Sequence, residues 1–235
     1  MEKRFKMSLF MPPISPIKDK ATGRTMKYAT LEPLRTVDLK EVYELITNNP
    51  RLAALTLEIR NAAERGDLEA CRMLKQQTLP YVTPCGVFTR RKSDCISQLS
   101  GLGVVDIDHL SSTQEAEELK QLLFDDPYLK PELVFVSPTG RGVKAFVPYP
   151  QGVDATEGIR WAMHYVHCMY DTEEGTKNGT GVDTSGKDLV RSCFLCHDPK
   201  ARIRMENERN GKWKDKNTIK KKEIKPWIHY FHCIA

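Results

Sequence analysis

The sequence predicts an α+β fold, in which a mixed sheet carries helices on one face. Three observations support this prediction. Of the 235 residues, 40% are hydrophobic, which is enough to form a packed core. Leucines and alanines recur at helical spacing between residues 38 and 77. From Pro80 onward, apolar runs and amphipathic stretches alternate in the approximate order β-β-α-β-β-α-β.

The first 79 residues predict an N-terminal strand and a helical subdomain packed on the core. Three prolines end the strand, and Asp38 is a good cap for the first helix. The predicted elements are a strand over residues 5–10 and helices over 38–47, 51–65 and 67–77.

The sequence predicts that residues 80–199 form the core domain, which carries the candidate site. Ser112 with Glu115, and Asp154 with Glu157, have the spacing of capping boxes and mark the starts of two helices. A loop rich in glycine and aspartate follows over 171–187. The predicted strands are residues 81–89, 103–108, 133–136, 143–147 and 189–195.

Charge is distributed unevenly along the chain. Residues 1–35 carry a net +5, residues 36–199 a net −7 and residues 200–225 a net +7. An acidic centre between basic ends suits a metal site beside segments that hold a polyanion, although a solvated tail explains the charge equally well. We expect 200–235 to be a basic and partly mobile tail.

The sequence favours a cytoplasmic protein. It has no apolar run near the roughly 18–20 residues that cross a bilayer, and no secretory signal. Its seven cysteines are irregularly spaced, which favours reduced thiols over a disulfide framework. We therefore expect no membrane partner.

Asp106 and Asp108 form the strongest candidate site. They end the apolar run Gly103–Asp108, and strand alternation places both carboxylates on one face, about 6.5–7 Å apart at the backbone. Such a pair can converge on a hard cation, and oxygen ligands suit Mg²⁺ or Mn²⁺. The hypothesis is a metal site for phosphoryl or nucleotidyl transfer. A bare Asp-x-Asp pair at a strand end is also common as a simple cap.

A Gly-rich hairpin between two predicted strands is the second candidate. Its glycines permit close backbone approach, and its side chains are donors suited to phosphate oxygens. A plain turn remains the alternative, and the Gly-Lys-Ser/Thr ending of a Walker loop is absent. The candidate phosphate-binding residues are Ser137, Thr139, Gly140, Arg141, Gly142 and Lys144.

The third element contains Asp183 and Arg191. Asp183 follows an apolar residue and is a candidate third metal ligand. Arg191 is expected on a core strand, where an unpaired guanidinium is costly. Its predicted partner is a phosphate or the carboxylate pair, with a structural salt bridge as the alternative.

The order of these three elements resembles the archaeo-eukaryotic primase superfamily, or primase-polymerases. Asp106-x-Asp108 resembles its first motif, the hairpin from Ser137 to Lys144 its second, and the hydrophobic residue with Asp183 its third. The chain resembles more closely the primase-like domain that precedes virulence-associated protein E helicases on bacterial mobile elements. Residues 102–110, the hairpin and residues 183–199 carry this likeness.

The resemblance implies a core with an RNA-recognition-motif-like sheet and two divalent metals, Mg²⁺ or Mn²⁺. It implies Asp106, Asp108 and Asp183 as catalytic metal ligands. The implied partners are a single-stranded DNA or RNA template, nucleoside triphosphates and a helicase in cis or in trans. The implied activity is joining of nucleotides during replication of a mobile element.

Two alternatives remain from the residues themselves. Lys144 stands where that family has a histidine, which favours a catalytically inactive, nucleic-acid-binding relative. An unrelated Asp-x-Asp enzyme acting on a nucleotide sugar is the other.

Overall fold

The structure is a computed structural model, and it describes residues 5–150, 152–170, 181–182 and 188–204. The described helices are α1 (Leu39–Asn48), α2 (Pro50–Glu64), α3 (Leu68–Thr78), α4 (Thr113–Phe124) and α5 (Ala155–Tyr170). The described strands are β1 (Lys6–Phe10), β2 (Ile17–Lys18), β3 (Thr25–Lys27), β4 (Arg35–Asp38), β5 (Tyr81–Thr83), β6 (Gly86–Phe88), β7 (Ile96–Leu99), β8 (Leu102–Asp108), β9 (Leu133–Val136), β10 (Val143–Pro148), β11 (Gly181–Val182), β12 (Cys193–Phe194) and β13 (Arg202–Ile203).

The strands form two larger sheets and two small hairpins. One sheet has the order β12-β5-β1-β4, and the other has the order β11-β8-β10-β9-β13. The hairpins are β2-β3 and β6-β7. Every strand pair among the described residues is antiparallel. The α+β prediction is therefore confirmed, whereas the predicted mixed sheet is an antiparallel one in the described part of the chain.

The five-stranded sheet is buried on both faces. Helix α5 packs against β8, and α4 packs against β9 and β10. The approach of α5 is close, because a Cβ on Gly103 would lie 2.5 Å from Cγ1 of Ile159. The opposite face of the sheet contributes Leu102, Val104 and Phe146 to a core that also contains residues of the four-stranded sheet.

This shared core joins the N-terminal segment to the rest of the protein. Met7 and Leu9 of β1, and Val82 of β5, pack in the same buried cluster as Val104 and Phe146. Strand β1 pairs with β4 on one side and with β5 on the other. The even-numbered residues of β8 thus face the core between the two larger sheets, and Asp106 continues that row.

The predicted helix starts agree with the structure. Asp38 and Glu41 form a complete capping box at α1. Ser112 accepts the backbone N–H of Glu115 at α4, but the Glu115 carboxylate accepts from Ser111 instead of closing the box. At α5, the Asp154 carboxylate accepts the backbone N–H of Glu157.

Two predicted strands are shorter than the sequence suggests. The predicted strand over 81–89 is split into β5 and β6 by a turn. The turn consists of Pro84 and Cys85. Gly86 after it permits close approach of β7, since a Cβ there would lie 2.2 Å from the carbonyl oxygen of Gln98. The predicted strand over 189–195 is reduced to β12, because Asp188 accepts the backbone N–H groups of Val190 and Arg191 in a turn.

The described residues between positions 5 and 204 form one compact unit. The basic tail predicted over 200–235 lies outside the described residues from position 205 onward. Among the described residues, none of the helices has the length and apolar content that a bilayer crossing needs.

Candidate functional site

A cleft of about 310 Å³ opens where β8 ends and β10 begins, beside β12. Its walls come from segments that are far apart in the chain, including the loop after β1, helix α3 and the hairpin between β9 and β10. The lining residues are Ile14, Lys75, Asp106, Asp108, Ser137, Pro138, Thr139, Lys144, Arg191, Ser192 and Phe194. Six of the ten candidate site residues predicted from the sequence therefore line one cleft.

A buried ion pair between Asp106 and Lys144 forms the floor of the cleft. The two residues lie directly opposite each other on β8 and β10. The Lys144 ammonium donates to Oδ2 of Asp106, and the two side chains are only 8% and 13% exposed, respectively. The other oxygen, Oδ1 of Asp106, is buried and has no hydrogen-bond partner among the described residues. Asp106 therefore has one oxygen committed to a cation and one oxygen still able to accept.

Burial and charge act against each other in this pair. Burial lowers the pKa of Lys144, but Asp106, Cys193 and Asp108 together more than offset that effect, so that the pKa lies above its ordinary value. Burial also raises the pKa of Asp106, while the Lys144 ammonium opposes that rise. We conclude that Lys144 stays charged near neutral pH and acts as a fixed cation in the cleft.

Asp108 lies at the open end of β8, packed over Gly142. A Cβ on Gly142 would lie 2.9 Å from Oδ1 of Asp108, 3.0 Å from Oγ of Ser137 and 2.5 Å from the carbonyl oxygen of Ile107. Gly142 thus permits a close approach, as its sequence position predicts, but the closely approaching group is the Asp108 carboxylate. The absence of a side chain at Gly142 brings this carboxylate and the Ser137 hydroxyl together.

The hairpin divides into a part that faces the cleft and a part that faces away. Ser137 is buried, and its hydroxyl lies 3.2 Å from the Thr139 hydroxyl, so that one hydroxyl donates to the other and one O–H remains for a ligand. Gly140 has a φ of +78° and packs toward Thr113 instead. Arg141 is exposed. Among the six predicted hairpin residues, Ser137, Thr139 and Lys144 line the cleft, whereas Gly140, Arg141 and Gly142 do not.

The third predicted element is described only in part. Arg191 lines the cleft, and its charge adds to that of Lys144 in opposing the rise in the pKa of Asp106 that burial causes. Asp183 lies outside the described residues, so its role as a third ligand stays a prediction. The strand before it, β11, pairs with the end of β8, where Gly181 lies opposite Asp108.

Several lining residues were not predicted from the sequence. Ile14 and Lys75 come from segments without any motif, and Phe194 belongs to a short apolar run. Ile14 reaches the cleft because its backbone N–H donates to the carbonyl of Gln76 on α3. Local sequence carries no signal for this contact, since the two residues are brought together only by tertiary folding.

The charge of the cleft suits an anion. Two carboxylates and the cations of Lys75, Lys144 and Arg191 line it, which leaves one positive charge in excess. Among the described residues, no group of three or more His, Cys, Asp or Glu side chains has metal-binding geometry. The described donor set for a divalent cation is therefore the free Oδ1 of Asp106 and the carboxylate of Asp108.

The chain matches one known domain family. The profile described as "BT4734-like, N-terminal domain" matches residues 73–202, which is more than half of the 235 residues. The matched range contains every cleft residue except Ile14. No curated protein and no solved structure shows a significant match.

Proposed function

The chain belongs to the family of BT4734-like N-terminal domains, and from that premise and the cleft we propose that it is a primase-polymerase-like nucleotidyltransferase core. It would join nucleotides on a nucleic-acid template. One observation carries the proposal: two carboxylates on one strand share a cleft with three cations and two hydroxyls, and one carboxylate oxygen is buried without a partner in the described part of the chain.

The donor set fits a divalent cation. Within the described ranges, Oδ1 of Asp106 is a buried acceptor without a donor, which is costly unless a cation or donor completes it. Asp106 and Asp108 would hold Mg²⁺ or Mn²⁺, with Asp183 as the proposed third ligand. The ion would supply charge stabilisation and activation of an attacking hydroxyl.

The other cleft side chains suit the phosphates of a nucleoside triphosphate. Lys75 and Arg191 are cations on the lining, and the hydrogen-bonded hydroxyls of Ser137 and Thr139 leave one O–H as a donor. Guanidinium and ammonium groups form charge-assisted hydrogen bonds to phosphate oxygens. These residues would orient the triphosphate above the carboxylates, while the apolar side chains of Ile14 and Phe194 limit access of water.

The wider role in this proposal is replication of a mobile element. The support is the resemblance of the three motifs to primase-like domains that precede helicases. The proposed partners are a single-stranded DNA or RNA template, nucleoside triphosphates and a helicase in cis or in trans.

A second candidate function is favoured by the Asp106–Lys144 ion pair. Because the Lys144 ammonium already neutralises Oδ2 of Asp106, it takes a place at which a divalent cation would bind. A cleft with a built-in cation can hold nucleotides or nucleic acid without transferring them. The second candidate is therefore a catalytically inactive, primase-like nucleic-acid-binding module.

Nucleotide incorporation tests the two candidates. The assay uses a single-stranded DNA template, with and without a primer, in Mg²⁺ and in Mn²⁺. Incorporation by the wild type that is lost in the Asp106→Asn and Asp108→Asn double variant supports the transferase. No incorporation by the wild type, together with template binding and incorporation by Lys144→His, supports the inactive module. No incorporation and no binding of template or nucleotide would refute both.

A further inference from the structure

A basic hairpin with exposed apolar side chains projects from the protein near the cleft. It comprises residues 17–28, with β2 and β3 as its two strands. These residues contain four lysines or arginines and one aspartate. Tyr28 is 80% exposed and Met26 is 69% exposed, so both side chains are accessible to a partner.

The charges of the basic hairpin are mostly available to a partner. Lys18, Arg24 and Lys27 are exposed, and no ion pair is formed by any of them among the described residues. The single aspartate, Asp19, is used within the turn, where it accepts hydrogen bonds from the backbone and hydroxyl of Thr22. Lys20 is the exception, since it pairs with Glu69 on α3.

The base of the basic hairpin is fixed beside the cleft. Ile14 lines the cleft, and its carbonyl oxygen accepts a hydrogen bond from the Arg91 guanidinium. On the return strand, the Thr30 backbone N–H donates to the carbonyl of Pro13, next to Ile14. The Tyr81 hydroxyl also donates to the carbonyl of Thr30. Both ends of the hairpin are therefore tied to the cleft rim.

Exposed aromatic and basic side chains together favour one class of partner. Bases stack on aromatic rings, and phosphates pair with lysine and arginine, so single-stranded nucleic acids bind surfaces of this composition. A folded acidic protein would need only the charges. The exposed ring of Tyr28 and the thioether of Met26 are better explained by unstacked bases.

We propose that the basic hairpin is a binding surface for single-stranded nucleic acid, which it holds next to the cleft. Lys18, Arg24 and Lys27 contact phosphates, and Tyr28 stacks on a base. The proposal rests on the proposed function, because it assigns the template of that same site. It adds a binding surface that lies outside the cleft and outside the family-matched range.

Fluorescence anisotropy of the full chain with a labelled oligothymidylate of about 16 nucleotides tests this proposal. The triple variant Lys18→Gln, Arg24→Gln, Lys27→Gln should weaken binding about tenfold or more at moderate salt. The slope of log affinity against log salt should fall by about 2, since each lost phosphate contact to a single strand contributes about 0.7. Tyr28→Ala should weaken binding about tenfold and leave the salt slope unchanged.

The matched charge control is the triple variant Arg51→Gln, Lys130→Gln, Lys200→Gln. These three residues are exposed and do not line the cleft. The control should bind the oligonucleotide like the wild type. An equal loss in the control would mean that only net charge matters, and it would overturn the proposal. Wild-type affinity in both hairpin variants would overturn it as well.

Two further outcomes separate this proposal from the proposed function. If the hairpin variants lose binding while the wild type incorporates no nucleotide, the binding surface stands and the transferase assignment fails. If the Asp106→Asn and Asp108→Asn double variant loses incorporation while all hairpin variants bind normally, the transferase stands and the hairpin proposal fails. Binding to anionic phospholipid vesicles without binding to the oligonucleotide would identify a lipid surface instead and refute the proposal.

Discussion

Replacing Lys144 by methionine removes the fixed cation of the cleft. Lys144 and Asp106 are 8% and 13% exposed, so the variant leaves a buried carboxylate without its ammonium. Loss of one partner from a buried ion pair costs about 3–5 kcal/mol. For a folded unit of this size, each kcal/mol lowers the melting temperature by about 2–4 °C. We therefore expect Lys144→Met to melt about 10 °C below the wild type.

The same variant should gain affinity for divalent cations. Oδ1 of Asp106 lacks a partner among the residues that the structure describes, and removal of the ammonium also frees Oδ2, while Asp108 remains nearby. A cation present at about 100 times its dissociation constant stabilises the folded state by about 2.7 kcal/mol. Millimolar Mn²⁺ should therefore restore much of the lost melting temperature in Lys144→Met and shift the wild type less.

Thermal melts with and without Mn²⁺ measure both effects, and titration calorimetry gives the stoichiometry. The matched control is the double variant Asp106→Asn, Lys144→Met, which lacks both charges. Because replacing both members of a buried pair is often close to neutral, it should melt near the wild type and show no Mn²⁺ shift. Equal Mn²⁺ shifts in all three proteins, or an unchanged melting temperature in Lys144→Met, would refute the role of Lys144 as a resident cation.

Three other predictions follow from packing and burial. Gly142→Ala should abolish incorporation or nucleotide binding, since its Cβ would lie 2.5 Å from the carbonyl oxygen of Ile107 and push the Asp108 carboxylate aside. Unchanged incorporation kinetics would contradict this packing. Asp198→Ala should lower the free energy of unfolding in urea by about 3 kcal/mol, because Lys120, 3% exposed, would lose a buried partner; a loss below about 1 kcal/mol would disagree with this. In native protein at pH 8, the exposed Cys168 should react with iodoacetamide, whereas Cys193 should not, since burial raises the pKa of the Cys193 thiol to about 12. Mass spectrometry of the labelled peptides measures both reactions, and faster labelling of Cys193 than of Cys168 would contradict the prediction.

The local elements could be predicted well from the sequence. Asp38, Ser112 and Asp154 begin helices in the structure, because a short polar side chain followed by a helix-forming run is a local signal. The alternation along Gly103–Asp108 placed Asp106 and Asp108 on one face correctly, because the period of two in a strand is also a local signal. Each of these predictions depends on residues within a few positions of one another.

The predictions that failed depended on distant residues. The direction of strand pairing is set by sheet neighbours that local patterns do not reveal. The shortened last strand is an exception, because the turn at Asp188 that precedes it is local. Lys75 and Ile14 reach the cleft only because α3 and the loop after β1 pack together. The pairing of Lys144 with Asp106 depends on the register between β10 and β8, and this register is a tertiary property as well.

Strand β5 has a practical consequence for anyone preparing the protein. The family-matched range begins at residue 73, so a fragment cut there keeps β5 but loses β1, which bonds to it through Leu9 and Phe10. The cut would leave an open strand edge and remove Met7 from the shared core. Exposed edges of this kind recruit other chains. A shortened gene product should therefore collect in inclusion bodies, whereas one that retains β1 should remain in the supernatant.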